Sequence, residues 1–161
     1  MRVSACGWAG QSVDEVKAMS CAVTKVSHDH REGIKGAEAT AVATFLARIG
    51  KSKDEIRAII MRDYYPIDFT LDEIRPSYKF DVSCQGSVPQ ALEAFLESDS
   101  FEDAIRNAIS IGGDSDTIAA IAGAVAGAYY GIPNEVEAKA TTFLDQQLVG
   151  TLRAFQQEYI R

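Results

Sequence analysis

The amino-acid sequence predicts an all-α protein, and three observations support that class. At several points Ser or Thr precedes an apolar stretch, with Glu or Gln three residues later, and this capping-box spacing marks the first turn of a helix. Apolar residues then recur at intervals of three and four, which places them on one face of a helix. No stretch alternates apolar and polar residues as a half-buried strand does.

The first half of the chain is predicted to form a loop followed by four helices. The loop covers residues 1–10, and the helices begin near residues 12, 33, 52 and 70. Ser12, Ser52 and Thr70 each have Glu three residues further on, so both partners of a capping box are present. The helix that begins near residue 33 runs to about residue 49 and is rich in alanine, the strongest intrinsic helix former.

The second half of the chain is predicted to contain four more helices. Ser87, with Gln90 three residues later, is expected to cap the first of them, and Ser100 is expected to cap the second. The third is the apolar run discussed below. The last covers residues 134–159, and Gly150 is expected to bend it.

The run Ile118–Ala128 is apolar on every face of a helix, which predicts a buried helix in the centre of the protein. Gly123 and Gly127 lie four residues apart within it. On a helix they form one smooth strip, where a second helix can approach closely. We therefore expect this helix to lie in the centre of the core, with the polar turn that precedes it fixed at the N-terminal end of the helix.

Length and composition limit the classes to which the protein can belong. The 161 residues are predicted to form one all-helical domain, residues 1–161, and 47% hydrophobic residues are enough for a core. The net charge of −7 and the isoelectric point near 4.8 argue against nucleic acid as a partner. An anionic ligand would therefore have to be attracted by local donors or by a bound cation.

The cysteines and the longest apolar run predict the compartment. Cys6, Cys21 and Cys84 are odd in number and lack Cys-x-x-Cys spacing, which favours reduced thiols in the cytoplasm. The apolar stretch at residues 118–130 is too short to cross a bilayer, so no membrane partner is expected.

A short acidic turn precedes the apolar helix and is the first candidate for a site. Two glycines are followed by Asp114, Asp116 and Thr117, which place three oxygen-bearing side chains within four residues. Hard cations such as Mg²⁺ prefer oxygen ligands of this kind. A second interpretation is also compatible with the spacing and is the commoner one for an acidic helix start, namely that Asp114 or Ser115 only caps the next helix. The spacing by itself leaves both interpretations open.

The acidic turn and the helix after it, Gly112–Gly131, resemble the C-terminal signature of the ADP-ribosylglycohydrolases, which include the dinitrogenase-reductase-activating glycohydrolases. Other segments resemble the same family: Met-Arg-Val at residues 1–3, Ser-His-Asp-His at 27–30, Gly-Ser-Val-Pro at 86–89 and Phe-Glu-Asp-Ala at 101–104. They occur in the family's order and cover nearly the whole chain. The resemblance implies a compact multi-helix bundle.

The resemblance also implies a chemistry. Members of the family hydrolyse the glycosidic bond between ADP-ribose and a modified side chain or small conjugate, with two Mg²⁺ ions, and Mn²⁺ is a possible substitute. ADP-ribose or an ADP-ribosylated protein would be the partner. The matching positions assign metal ligands to Asp114, Asp116 and Thr117.

Substrate contacts follow from the resemblance at five further positions: Arg2, His28, Gly86, Ser87 and Gly113. Three of them have a plainer alternative. Arg2 could be a surface arginine, His28 could bridge two helices, and Ser87 could be only an N-cap. His28 and His30 lie too close together in a loop, without a third ligand, to predict a zinc site.

The chain departs from the family at its beginning. By resemblance, relatives carry about another hundred residues ahead of this point, on the scale of one domain. Those residues include the other half of the metal site and the carboxylate that acts as general acid or base. We therefore expect a C-terminal portion of the fold, without the N-terminal helices and with no assignable catalytic residue.

Three alternatives follow from that departure. The chain could be impaired as an enzyme by itself. It could be a truncated, non-catalytic relative that binds ADP-ribose or has a structural role. It could also form a homo-oligomer or pair with a chain that completes the N-terminal part, because missing helices would leave apolar faces uncovered.

Overall fold

The computed structural model describes residues 1–160, and within that range the chain forms ten α-helices and no strand. The all-α prediction is therefore confirmed. The helices are α1 (Ser4–Ala9), α2 (Val13–Lys25), α3 (Arg31–Arg48), α4 (Lys53–Asp63), α5 (Leu71–Ile74), α6 (Cys84–Leu96), α7 (Phe101–Ser110), α8 (Ser115–Tyr130), α9 (Asn134–Thr141) and α10 (Gln146–Tyr159).

Four predicted helix starts are confirmed by side-chain caps. Ser12, Ser52, Thr70 and Ser100 each accept a hydrogen bond from the backbone N–H three residues later. The reciprocal bond from the third residue is present at Ser52 and Thr70, which completes a capping box at both. These caps satisfy backbone donors that the first helical turn leaves without partners.

The core lies around α3, α6 and α8. Helix α3 packs against α1, α2, α4, α6 and α8, and helix α8 packs against α6 and α7 as well. Phe95 of α6, Val42 of α3 and Ile118 of α8 are fully buried between these helices. The ends of α3, α6 and α8 are thereby held in fixed positions, and the candidate site lies at these ends.

Helix α8 confirms one prediction and corrects another. A Cβ added at Gly123 would lie 2.7 Å from Cδ1 of Ile105, so α7 does approach the glycine strip closely. The helix is not buried on every side, however, because within the predicted run Ala120 is exposed and Ala119, Gly123 and Ala124 are only partly buried. Alanine is small enough to be compatible with either a covered or an open face, so composition alone could not distinguish the two.

The prediction of a loop at residues 1–10 is wrong, since Ser4–Ala9 form α1. No side chain caps this helix, and Gly7 lies in its middle. A Cβ at Gly7 would lie 2.6 Å from the backbone oxygen of Ala41, so α1 rests directly on α3. The contact with α3 stabilises a helix for which the local sequence gives little signal.

The C-terminal segment also differs from the prediction. The single helix expected at residues 134–159 is two helices, separated at residues 142–145. Asp145 begins the second because its carboxylate accepts a hydrogen bond from the backbone N–H of Leu148 at 2.8 Å. The break therefore comes before Gly150, which lies inside α10. No helix within residues 1–160 has the length and hydropathy that a membrane crossing requires.

Candidate functional site

A pocket of about 430 Å³ opens where the ends of several helices meet. It is lined by the N-terminal residues, the end of α2, one face of α3 and the first turns of α6 and α8. This volume lies within the range of about 300–1,000 Å³ that is typical of small-molecule sites. Five of the predicted site residues contribute to the lining: Arg2, His28, Ser87, Asp114 and Thr117.

Three predicted residues are not part of that lining. Asp116 is exposed on the first turn of α8, beside Asp114, and Gly113 directly precedes Asp114. A Cβ added at Gly86 would collide with the carboxylate of Asp81, so the close neighbour of this glycine is Asp81. The structure thus brings part of the predicted set into one pocket and places the rest next to it.

The acidic turn presents two carboxylates that are close to each other. Asp114 occupies the N-cap position of α8, but its side chain makes no capping hydrogen bond, and Ser115 is the first helical residue. The pKa of the Asp116 carboxyl lies below its ordinary value because the neighbouring Asp114 carboxyl can share a proton with it and because the Thr117 backbone N–H donates to it at 2.9 Å. A capping role therefore does not account for the Asp114 side chain.

The chemistry of this turn fits a partly hydrated hard cation. Two neighbouring carboxylates and the Thr117 hydroxyl are oxygen donors, and Mg²⁺ is commonly held by one or two carboxylates while it keeps several waters. Within residues 1–160, no three His, Cys, Asp or Glu side chains are grouped so that they could enclose a metal ion. The turn is thus suited to supply oxygen ligands to a metal site.

Ser87 has a different local role from the predicted one. Helix α6 begins one turn earlier, at Cys84, and its cap is Ser83, whose hydroxyl accepts from the Gly86 N–H at 3.1 Å. The Ser87 hydroxyl donates to the backbone oxygen of Asp81 at 3.1 Å. The predicted capping box at Ser87 and Gln90 is therefore wrong. Ser87 lies inside α6, buried, where it ties the preceding loop to the pocket wall.

The predicted contacts Arg2 and His28 are joined through Ser27. The Arg2 guanidinium donates to the Ser27 hydroxyl, and the Ser27 oxygen lies 2.8 Å from Nδ1 of His28. Residues from the chain start and from the end of α2 are thereby linked at the edge of the pocket. His30 has a separate task, because it caps α3 by accepting the Glu32 N–H at its Nδ1.

Sequence reasoning missed the part of the lining that α3 provides. Gly33, Gly36, Ala37 and Thr40 all face the pocket. Their spacing of three, one and three residues is that of a single helix face, and their small size leaves space for a ligand. This spacing of small residues was a signal in the sequence. It could not be used without knowing that α3 borders a pocket.

The pocket as a whole combines three kinds of polar group on a partly apolar wall. The Arg2 guanidinium can bind an anion, the Asp114 carboxylate can bind a cation or a sugar hydroxyl, and several hydroxyls can do either. Cys84 also lines the pocket, where burial raises the pKa of its thiol and so keeps it protonated. An oxygen-rich ligand with both phosphate and sugar groups is compatible with this set.

Comparison with known proteins places the chain in a family. The model of the ADP-ribosylglycohydrolase family matches residues 1–152, so the chain belongs to the ADP-ribosylglycohydrolases. It is 31% identical to ADP-ribosylarginine hydrolase Tri1 of Pseudomonas putida over 68% of this chain and 31% of that protein. It is 29% identical to human ADP-ribosylhydrolase ARH3 over 82% of this chain and 49% of that protein.

A solved structure agrees with the family assignment. A chain of an ADP-ribosylglycohydrolase-related protein complex superposes with a TM-score of 0.58 at 26% identity, over 82% of this chain and 48% of that one. The compact fold expected from the resemblance is therefore confirmed. The alignments cover about a third to a half of each of these longer proteins.

Proposed function

We propose that this chain takes part in Mg²⁺-dependent hydrolysis of the glycosidic bond between ADP-ribose and a modified side chain or small conjugate. The pocket carries the proposal, because residues from four distant segments line it together: Arg2, His28, Ser87, Asp114 and Thr117. Family membership and relatives named as ADP-ribosylarginine and ADP-ribosyl hydrolases support the same activity.

In this proposal the acidic turn holds the metal. Asp114, Asp116 and Thr117 supply oxygen ligands from the first turn of α8. When bound, Mg²⁺ would polarise the substrate oxygens and offset the negative charge of the phosphates. Mn²⁺ has the same preference for oxygen ligands, so it is a possible replacement.

The substrate contacts are proposed around that turn. Arg2 carries the positive charge that suits a phosphate, and His28 lies next to it through Ser27. The Ser87 hydroxyl already donates to Asp81, so its oxygen can still accept a bond from a sugar hydroxyl. Gly113, whose φ is positive, would let the chain turn tightly beside the ligand, and Gly86 would leave the first turn of α6 without a side chain that would collide with Asp81.

No described residue is assigned as general acid or base. Cleavage through an oxocarbenium-like transition state usually requires a carboxylate for that task. Because the chain also supplies an incomplete set of metal ligands, we propose that it hydrolyses substrate slowly by itself. A second copy or another chain would then complete the site.

A second candidate function follows from the same observation. Residues 1–160 contain no group of three potential metal-ligating acidic, His or Cys side chains. A pocket that lacks these groups could still bind ADP-ribose. The alternative is therefore a non-catalytic protein that binds ADP-ribose or has a structural role.

The test begins with thermal melts of the purified chain alone, with Mg²⁺, with ADP-ribose and with both. A ligand of the folded state raises the melting temperature by mass action, and we expect the largest rise with both ligands. Asp114→Asn should remove the Mg²⁺-dependent part of the rise. Asp54→Asn is the matched control, since Asp54 is an exposed first-turn acid of α4. A cooperative melt with no rise under any condition would overturn the proposal.

Hydrolysis is measured separately, as release of ADP-ribose from an ADP-ribosylated arginine peptide. Binding with only slow release supports the impaired enzyme, and binding with no release supports the non-catalytic alternative. Fast release by a chain that light scattering shows to be monomeric would contradict the need for a completing partner.

We also propose that the protein works in a reducing compartment, the cytoplasm. Cys6, Cys21 and Cys84 are all free thiols, and a reducing cytosol keeps such thiols unpaired. Cell fractionation with an antibody against the chain tests this directly. Recovery in an oxidising compartment would contradict it.

A further inference from the structure

The contact between Ser27 and His28 bears on which nitrogen of His28 carries a proton. The Arg2 guanidinium can only donate hydrogen bonds, so the Ser27 oxygen must accept the bond between them. The single proton of the Ser27 hydroxyl is then free to point at Nδ1 of His28, 2.8 Å away. In a neutral imidazole, an Nδ1 that accepts a bond leaves the proton on Nε2.

We propose that Ser27 is a positioning residue that holds His28 in the Nε2–H tautomer, so that His28 offers an N–H donor to an oxygen of the bound ligand. The proposal rests on the proposed function, in which His28 contacts ADP-ribose. It assigns a role to Ser27, which the sequence analysis placed in a motif without giving it a contact, and it gives Arg2 a second task. Arg2 orients the Ser27 hydroxyl in addition to carrying positive charge.

The choice of tautomer matters because the ligand is rich in oxygen. Phosphate oxygens only accept hydrogen bonds, so an imidazole whose free nitrogen lacked a proton would face them with a lone pair. A donor at Nε2 removes that conflict without requiring the imidazole to be charged. A sugar hydroxyl could accept from the same nitrogen, so the shared chemistry is an acceptor oxygen.

His30 provides an internal control. Its Nδ1 accepts the backbone N–H of Glu32 at 3.2 Å, which fixes the same tautomer by a contact that does not involve Ser27. These are the two histidines of the sequence, so both imidazoles can be followed in one spectrum. If a Ser27 substitution changes the tautomer of His28 but not that of His30, the change is due to the loss of the Ser27 contact.

The experiment is ¹⁵N NMR of the histidine side chains, at a pH at which the ¹⁵N shifts themselves show that both rings are neutral. It compares the unchanged protein with Ser27→Ala and Ser27→Thr. We expect His28 of the unchanged protein to show a protonated Nε2 and an Nδ1 that accepts a hydrogen bond. Ser27→Ala should turn this into a mixture of tautomers, and Ser27→Thr, which keeps the hydroxyl, should preserve it.

Ligand affinity is measured on the same three proteins by calorimetry with ADP-ribose, and with ADP in parallel. Loss of about one net hydrogen bond predicts about three- to tenfold weaker binding for Ser27→Ala, and near-normal binding for Ser27→Thr. An equal loss with ADP places the acceptor oxygen in the ADP part. A loss confined to ADP-ribose places it on the terminal ribose.

The outcomes separate this inference from the proposed function. If the unchanged protein binds ADP-ribose and Ser27→Ala alters neither the His28 tautomer nor the affinity, the role of Ser27 is overturned and the function stands. If Nδ1 of His28 carries the proton in the unchanged protein, the role of Ser27 is likewise overturned. If the unchanged protein does not bind ADP-ribose at all, the proposed function fails and this inference fails with it.

Discussion

The ring of Tyr78 lies against the Cα atom of Gly113, directly before the acidic turn. A Cβ added at Gly113 would lie 3.0 Å from Cδ1 of Tyr78 and would overlap its Cε1. The Tyr78 hydroxyl donates to the backbone oxygen of Gly86 at 2.6 Å. One side chain therefore connects the turn that carries Asp114 with the first turn of α6, and both turns contribute to the pocket.

Gly113→Ala should lower stability more than Gly112→Ala. Both glycines have positive φ, +65° and +75°, so an added Cβ strains the backbone at either position by about 1–2 kcal/mol. At Gly112 nothing lies within 4 Å of the new Cβ, whereas at Gly113 it meets the Tyr78 ring. Urea denaturation of both variants measures the difference.

The contribution of Tyr78 is isolated by a double mutant. In a Tyr78→Ala background the additional cost of Gly113→Ala should fall toward that of Gly112→Ala, because the ring is gone and only the Lys79 backbone oxygen still lies close, 3.1 Å from the new Cβ. Equal costs of the two glycine substitutions in the unchanged background would show that the Tyr78 contact carries no free energy.

Two hydroxyls on α2 are buried without a hydrogen-bond partner, those of Ser20 and Thr24. An unpaired buried polar group costs free energy, so Ser20→Ala and Thr24→Val should leave stability unchanged or raise it by up to about 1 kcal/mol. Thr40→Val is the contrasting variant, since the Thr40 hydroxyl donates to the Gly36 oxygen at 3.0 Å.

Thr40→Val should cost about 0.5–1.5 kcal/mol, the net value of one internal hydrogen bond. The free energy of unfolding in urea is measured for all three variants. A loss of stability in Thr24→Val equal to that in Thr40→Val would show that the Thr24 hydroxyl does have a partner in solution.

Glu93 of α6 predicts a pH dependence of stability. Its carboxylate pairs with Arg57 at 2.7 Å, but burial raises its pKa above the ordinary value, and the hydrogen bond and charge of Arg57 only partly oppose that shift. A carboxyl whose pKa is raised on folding stabilises the protein below its unfolded pKa. That contribution is lost as the pH rises through the folded pKa.

Glu93→Gln removes this titration and keeps the shape of the side chain. The free energy of unfolding is measured for both proteins between about pH 4, near the ordinary glutamate pKa, and about pH 8. As the pH rises, the stability of Glu93→Gln should increase relative to that of the unchanged protein. Glu102→Gln, an exposed residue paired with Arg106 on α7, is the control and should show no such gain. The opposite slope would mean that Arg57 outweighs the cost of burial.

Gly7 should be required for the close packing of α1 on α3. Gly7→Ala brings a Cβ to 2.6 Å from the Ala41 oxygen and 2.7 Å from Thr44 Cβ, and overpacking of this kind costs about 1–3 kcal/mol. Gly150→Ala in α10 is the control, because its Cβ meets nothing within 4 Å and alanine favours a helix by about 0.5–1 kcal/mol. Thermal melts followed by circular dichroism compare the two. A neutral Gly7→Ala would show that α1 can shift away from α3.

The sequence by itself determined the helical class and most helix starts. Ser12, Ser52, Thr70 and Ser100 were identified correctly because a side-chain cap spans only three residues, so all its parts are visible in a short stretch. Motif resemblance identified the family, which the match over residues 1–152 bears out.

Tertiary structure decided the rest. Helix α1 forms because Gly7 lets it lie on α3. Helix α6 begins at Cys84, capped by Ser83, and the Ser87 hydroxyl is instead engaged with Asp81 in the preceding loop. The open face of α8 and the α3 wall of the pocket likewise depend on which helices meet. The contact between Ser27 and Arg2 spans 25 positions, and no local pattern encodes such a contact. Local hydrogen bonds can be predicted from neighbouring residues, whereas a pocket depends on packing between segments that are distant in the chain.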